Sequence, residues 1–376
     1  MLSHMKAFPE FALKDSKGRV MKRICQKCNV ISHDLNLWCQ EKDCPAENAT
    51  EIFDNGEWFG PMEIVQAVAI NRSAIIYQAR RGEELVLLKV ANNNCENKLR
   101  NEARAFLELA KSGQHPCLPV LLPAHPNGDI QQHPYGWTVI NGRIKYYLVF
   151  AFTEGAVLSN LLLKNPQPWY QHAVWIVLNL ADAVLYLHQA KKLHLCLRPD
   201  VVLVRYDKLG YPRPLLIDLG LSTNDTNVPA EWDESYNLPA YTAPEILSGS
   251  GPVSMATDVY GLGMLLYEML AGHPAYPFDL KRDKQVISAV LKGVFPPTGR
   301  IDLKEIPAIA EKAINANPGQ RFQTVAQFFA ALSPQVPRLP AEKKKRKFNW
   351  RVLFIILGTL LVISLVLVLA LSLVPM

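Results

Sequence analysis

The chain has 376 residues, 49% hydrophobic and 20% charged, with a formal net charge of +6. That balance supports a sizeable core and excludes long-range disorder over most of the length, and at roughly 100–200 residues per domain it suggests two or three units. The run Lys343, Lys344, Lys345, Arg346, Lys347 together with Arg351 supplies the whole excess of positive charge, so the basicity is a local patch and no nucleic-acid partner is expected.

Taken in chain order, residues 1–22 read as a polar tail without an apolar h-region, so a secretory entry signal is not expected there. Residues 23–50 hold four of the seven cysteines in the pattern Cys25-x2-Cys28, ten residues, Cys39-x4-Cys44. Two short-spaced pairs can each clasp one side of a tetrahedral ion, and four thiolates suit zinc. Without a secretory signal, a metal site is favoured over a disulfide framework. A small zinc-ribbon-like module with structural zinc on Cys25, Cys28, Cys39 and Cys44 is therefore expected. So short a segment buries little apolar surface, and the metal would supply most of its folding energy.

From 57 to 90 apolar and polar residues alternate, which predicts strands at 74–77 and 85–90. A helix is predicted over 98–111 and a strand over 145–150. Beyond Pro168 helical periodicity dominates, over 169–189, 257–271, 281–291 and 325–332. A strand-rich piece followed by a helix-rich piece predicts a two-lobed α+β fold. Residues 334–350 read as a Pro-rich, then basic, juxtamembrane linker.

The last segment, 351–375, is expected to be a transmembrane helix. Its uncharged stretch of 23 residues, 352–374, reaches roughly 34 Å as a helix, enough to cross a hydrocarbon core of about 30 Å. The basic run before it predicts a cytoplasmic location for the bulk of the chain, in a tail-anchored layout. Residues 343–347 are also expected to attract anionic lipid, at about 1 kcal/mol per charge near the surface.

A set of motifs in the middle of the chain resembles the serine/threonine protein kinases. Val86-Leu87-Leu88-Lys89-Val90 is similar to the strand that carries the family's ATP-binding lysine. Asp218-Leu219-Gly220 is similar to its metal-binding motif, and Ala243-Pro244-Glu245 follows 25 residues later, as the end of an activation segment would. Asp258-Val259-Tyr260-Gly261-Leu262-Gly263 resembles the helix whose Asp supports the catalytic loop. Asn317-Pro318-Gly319-Gln320-Arg321-Phe322 resembles the late element whose Arg pairs with the Glu of the activation segment, here Glu245. These stand in family order over residues 60–333, about 70% of the chain. The resemblance implies a two-lobed kinase-like domain, ATP with Mg²⁺ as ligand, Lys89 paired with Glu102 (or, second, Glu108), and Asp218 as a metal ligand.

The same resemblance locates the departures. The three glycines of the phosphate-covering loop fall on Ala69, Asn71 and Ala74. The catalytic-loop pattern falls on residues 194–201, so that Cys196 stands where the family has its catalytic Asp and Val201 where it has a metal-binding Asn. Leu195 replaces an Arg, and Arg198 replaces the Lys that touches the γ-phosphate. Leu238 stands where a Thr would bond the catalytic Asp. A thiol is a poor acceptor and largely protonated at neutral pH, and valine binds no metal. Losing a positioned base costs about 10²–10⁴-fold. Asp200, four residues on, would have to swing inward to substitute. The expectation is a membrane-anchored pseudokinase, a scaffold or nucleotide sensor that meets protein partners through its kinase-like and zinc modules and binds ATP/Mg weakly. The alternative is an active atypical kinase using Lys89 and Asp218.

Overall fold

Alternation of apolar side chains folds the first half of the chain into antiparallel sheet. The computed structural model describes residues 22–25, 31–32, 49–219, 237–278, 281–340 and Thr359. Two compact units divide the chain, residues 1–338 and 339–376, and every element named below lies in the first. Strands β1 (Lys22–Cys25), β2 (Ile31–Ser32) and β3 (Ala49–Ile52) form a small sheet in the order β2-β1-β3. Strands β4 (Trp58–Phe59), β5 (Met62–Ile70), β6 (Ala74–Arg81) and β7 (Glu84–Ala91) are followed by helix α1 (Glu96–Ala110), then β8 (Leu121–Leu122), β9 (Gly136–Ile140) and β10 (Arg143–Ala151). They make a seven-stranded sheet ordered β4-β5-β6-β7-β10-β8, with β9 also paired to β10.

One face of this sheet carries Ile64, Tyr77, Val86, Leu88, Tyr147 and Val149 into a single apolar cluster. Each such side chain contributes about 1.5–3 kcal/mol when fully buried. Ile24, Ile52 and Phe53 belong to the same cluster. Phe53 meets Phe59 edge-on at 5.4 Å, and its backbone N–H donates to Tyr77 Oη at 3.2 Å. The strands flanking the cysteine-rich segment are thus continuous with the core of the N-terminal lobe, so packing as well as any metal supports them. Cys25 is buried at the end of β1. The other expected ligands, Cys28, Cys39 and Cys44, lie outside the described residues, among which no metal-holding group of side chains occurs.

The second lobe is helical. It contains β11 (Ala156–Val157), α2 (Leu158–Lys164), α3 (Tyr170–Gln189), β12 (Val202–Tyr206), β13 (Pro212–Leu216), α4 (Pro244–Ser248), α5 (Met255–Ala271), α6 (Asp283–Lys292), α7 (Glu305–Ala313) and α8 (Val325–Leu332). Helix α5 begins two residues earlier than its periodicity predicts. Ser254 and Thr257 form a reciprocal capping box there, which satisfies backbone donors that would otherwise be orphaned. Helix α6 starts two residues later than expected and runs one further, to Lys292, where Gly293 with a φ of 66° ends it in the left-handed conformation. Helix α7 is not among the helices expected from the sequence, and it contains Pro307. The proline sits in the first turn, whose N–H groups have no intrahelical partner to lose.

Helix α5 is the axis of this lobe, buried along most of its length. Two glycines allow its neighbours to approach. A Cβ at Gly261 would lie 2.7 Å from Cβ of Leu197 in the catalytic loop, and one at Gly263 would lie 2.6 Å from Cβ of Ala313 on α7. No helix among the described residues is long and apolar enough to cross a membrane. The apolar stretch 352–374 and the basic run 343–347 fall outside those residues, apart from Thr359.

Candidate active site

Strand β7, helix α1 and the segment after β13 bring three charges together. Lys89 Nζ lies 2.7 and 2.9 Å from the two carboxylate oxygens of Glu102 and 3.2 Å from Asp218 Oδ2. All three side chains are at most 2% exposed. Glu102 also accepts the Leu219 N–H at 2.9 Å, which ties α1 to the segment carrying Asp218. Glu108, the other candidate partner, instead pairs with Lys192 at 2.5 Å and is half exposed. Burial alone would lower the Lys89 pKa, but the carboxylates of Asp218 and Glu102 outweigh it and raise the value, so the ammonium stays charged. Burial pushes Glu102 up to about 7 even though Lys89 pulls it back.

Lys98 lies one turn before Glu102 on α1 and adds a cation that the motif reading does not contain. Its pKa is lowered by burial, against the opposing pull of Cys95, Cys196 and Asp218. The signal that could have found it is its position four residues before Glu102, on the same helix face.

Asp258, at the start of α5, organises the catalytic loop. Its carboxylate accepts the N–H groups of His194 at 2.9 Å and Leu195 at 2.7 Å, and its Oδ2 lies 2.8 Å from His188 Nε2. Leu195 needs this support, because its φ of 64° brings the Cβ of any non-glycine residue too close to the backbone. His194 lies with Nε2 2.7 Å from the Asp218 carbonyl, while Nδ1 accepts the Cys196 N–H at 3.2 Å. These contacts fix the neutral tautomer protonated at Nε2. Burial lowers the His194 pKa despite the nearby Asp258 and Asp218, which agrees with a neutral ring.

Cys196 is 7% exposed, and its sulfur accepts from Arg198 Nη1. Burial pushes its pKa up to about 12, with Arg198 pulling weakly the other way. It is therefore a thiol at neutral pH, without the acceptor strength of a carboxylate. Val201 is fully buried, and its backbone is engaged with Arg198 and Ile217. The Arg198 guanidinium also reaches Asp200 at 2.7 Å through Nε, so one cation bridges Cys196 and Asp200.

The turn between β5 and β6 closes down on this loop. Asn71 is 1% exposed, and with its amide turned to the orientation that satisfies both of its ends, the nitrogen donates to Asp200 Oδ2 at 3.1 Å and to the Asp200 carbonyl at 3.2 Å. Asn92 donates to the carbonyls of Asn71 and Arg72, both at 2.9 Å, so the turn cannot relax independently. Arg72 crosses to the helical lobe. It forms a two-pronged pair with Asp283 at 2.6 and 2.8 Å and donates to the Asn237 carbonyl at 2.9 Å. Of these residues the motif pattern singles out only Asn71, as a position without its glycine; the bonds made here are visible only in the folded chain.

Far from this site in sequence, Arg321 pairs with both oxygens of Glu245 at 2.9 Å, buried among the helices of the second lobe. A protein kinase domain family model matches residues 79–327. This chain belongs to the protein kinase family. Among curated relatives, the serine/threonine-protein kinase PknK of Mycobacterium tuberculosis is 27% identical over 207 residues, covering 53% of this chain and 18% of PknK. The serine/threonine-protein kinase RUNKEL of Arabidopsis thaliana is 24% identical over 263 residues, covering 69% of this chain and 17% of that protein. Nek4 of Mus musculus is 24% identical, covering 69% of this chain and 30% of its own length. The chain thus spans less than a third of each of these relatives. The crystal structure of the PknI kinase domain of Mycobacterium tuberculosis superposes with a TM-score of 0.53 at 18% identity, covering 76% of this chain and 99% of that one, and so shares its two-lobed fold.

Within that family, ATP with two metal ions needs a compliant glycine loop, a carboxylate and a second metal ligand. The residues here do not fit that group. Val201 offers no donor and side chains occupy the glycine positions, which leaves Asp218 as the one metal-ligating side chain of the motif.

Proposed function

We propose that this kinase-family chain is a pseudokinase held at a membrane by its C-terminal apolar segment, and that it works as a signalling scaffold. The observation that carries the reading is Cys196, a buried thiol bonded to Arg198 where the family presents a carboxylate to the incoming hydroxyl. Val201 and the bonded β5–β6 turn weigh the same way, and the turn favours a scaffold over a nucleotide sensor. One observation favours the rival reading of an atypical active kinase: Lys89, Glu102 and Asp218 are assembled as in a working site.

The test uses the full chain in neutral-lipid nanodiscs with radiolabelled ATP and Mg²⁺. Label transferred to a generic protein substrate should not exceed that of a heat-inactivated control. Millimolar ATP should raise the melting temperature by less than about 1 °C, as expected when the ligand concentration does not exceed Kd. Robust metal-dependent labelling would establish the kinase reading instead.

Both ends of the chain enter this reading through sequence alone. Deleting residues 348–376 should move the protein from the membrane to the soluble fraction, and persistent sedimentation would remove the anchor. The zinc module, a further surface for protein partners, predicts one zinc per folded chain by elemental analysis. A metal-free chain of unchanged melting temperature would remove it.

A further inference from the structure

We propose that the outward face of the β9–β10 hairpin and the pocket beside it form a docking site for an acidic peptide segment, flanked by apolar residues, of a protein partner. The inference adds a partner chemistry to the scaffold reading but uses none of the residues of the candidate active site.

Strand alternation places Trp137 and Val139 of β9 on the face opposite to Thr138 and Ile140. The register pairs Trp137 with Tyr146 and Val139 with Ile144, so these four side chains form one two-by-two ladder. The other face is accounted for, because Ile140 packs against the sheet core and Lys145 and Tyr147 are buried. The ladder is not covered: Trp137 is 60%, Val139 56% and Ile144 52% exposed. Single exposed apolar residues are ordinary, but a contiguous cross-strand set that includes a tryptophan marks a binding face.

The ladder runs into a pocket of about 300 Å³ whose lining includes Arg100, His125, His133, Tyr135, Trp137 and Tyr146. Arg100, from α1, lies over the Tyr146 ring at 5.4 Å, and Tyr135 stands 6.2 Å from the same ring. The two imidazoles meet edge to face at 5.8 Å. Among the described residues, the lining contains one guanidinium, two imidazoles and no carboxylate. Its charge complements an anion, and its volume admits one side chain. The Arg100 guanidinium is held over the Tyr146 ring and bonded through Nη2 to Asn97 Oδ1, and it offers its remaining N–H donors to a carboxylate or phosphate.

The spacing selects an extended peptide. Alternate residues of a strand lie roughly 6.5–7 Å apart, so a partner's acidic side chain in the pocket and its apolar residues two positions away would meet Arg100 and the Val139–Ile144 rung together. Tryptophan and arginine are also the residue types that most often dominate such interfaces.

The experiment screens the full chain in neutral-lipid nanodiscs against a display library of ten-residue peptides, then measures Kd of the enriched peptides by fluorescence anisotropy. Enrichment of a Glu, Asp or phosphorylated residue two positions from apolar ones is expected. Arg100→Gln and, separately, Val139→Asp should each weaken binding at least tenfold. Arg143→Gln, an exposed charge at the hairpin end outside the ladder, should change it less than twofold. Melting temperatures of all variants should match the wild type, since each site is at the surface. The proposal fails if the enriched peptides show no acidic residue, or if Arg100→Gln and Val139→Asp leave Kd unchanged. It also fails if this face instead binds anionic vesicles, read as a Trp137-dependent fluorescence shift, in preference to the peptides.

Discussion

Replacing Arg321 with alanine is expected to destabilise the chain by about 3–5 kcal/mol, the usual cost of stranding one half of a buried ion pair. At about 2–4 °C per kcal/mol for a unit of this size, the melting temperature should drop by roughly 10 °C. The pair is unusually well satisfied. Beyond its two bonds to Glu245, Arg321 donates to the carbonyls of Asn315 at 2.7 Å and of Ala256 and Ala316 at 3.2 Å, and it lies 4.8 Å over the Tyr260 ring. Thr257 holds the same Glu245 oxygen at 2.9 Å. One guanidinium therefore joins α4, α5 and the turn after α7. Arg321→Lys should recover only part of the loss, because a point charge cannot replace the planar fork. Thermal unfolding of the three proteins checks this, and an Arg321→Ala midpoint within about 2 °C of wild type would mean that the pair is not structural.

Lys89→Met is expected to cost a similar amount, about 3–5 kcal/mol, for a reason unconnected with catalysis. It leaves Glu102 and Asp218 buried together without their cation. The loss should depend on pH. Glu102 already sits near pH 7 through burial, with Lys89 pulling it down; without Lys89 it rises further. A carboxyl whose folded pKa exceeds its unfolded value of 4.5 binds a proton more readily in the folded state. Its stabilising contribution is then complete below the unfolded value and fades as pH rises through the folded one. The deficit of Lys89→Met relative to wild type should therefore be largest at pH 8 and shrink toward pH 5. A deficit that is flat or grows on acidification would show that the remaining carboxyls do not protonate. Lys89→Met with Glu102→Gln should recover stability at pH 8. This variant is needed as a control in any test of phosphotransfer, since loss of Lys89 alone confounds chemistry with folding.

The chemical deficit of the site is legible in the residues themselves, because Cys196 and Val201 carry the wrong donor atoms wherever the loop is placed. The partner of Lys89 was also within reach. Leu99, Ala103 and Phe106 form the buried stripe of α1, and Glu102 lies within it, whereas Glu108 is six residues further and turns toward Lys192. The helix over 305–313 is short and carries Pro307, which its place in the first turn makes harmless.

Local pattern thus determined the strands at 74–77, 85–90 and 145–150, most helices, the order of the motifs and the identity of the residues that depart from them, since each depends on side chains a few residues apart. Tertiary structure alone decided that Arg72 reaches Asp283, that Asn71 is set against Asp200, and that the cysteine-rich segment is joined to the sheet through Phe53. Those contacts link residues up to 211 positions apart. No spacing rule reaches so far, because what brings such groups together is the burial of two lobes' worth of apolar surface around them.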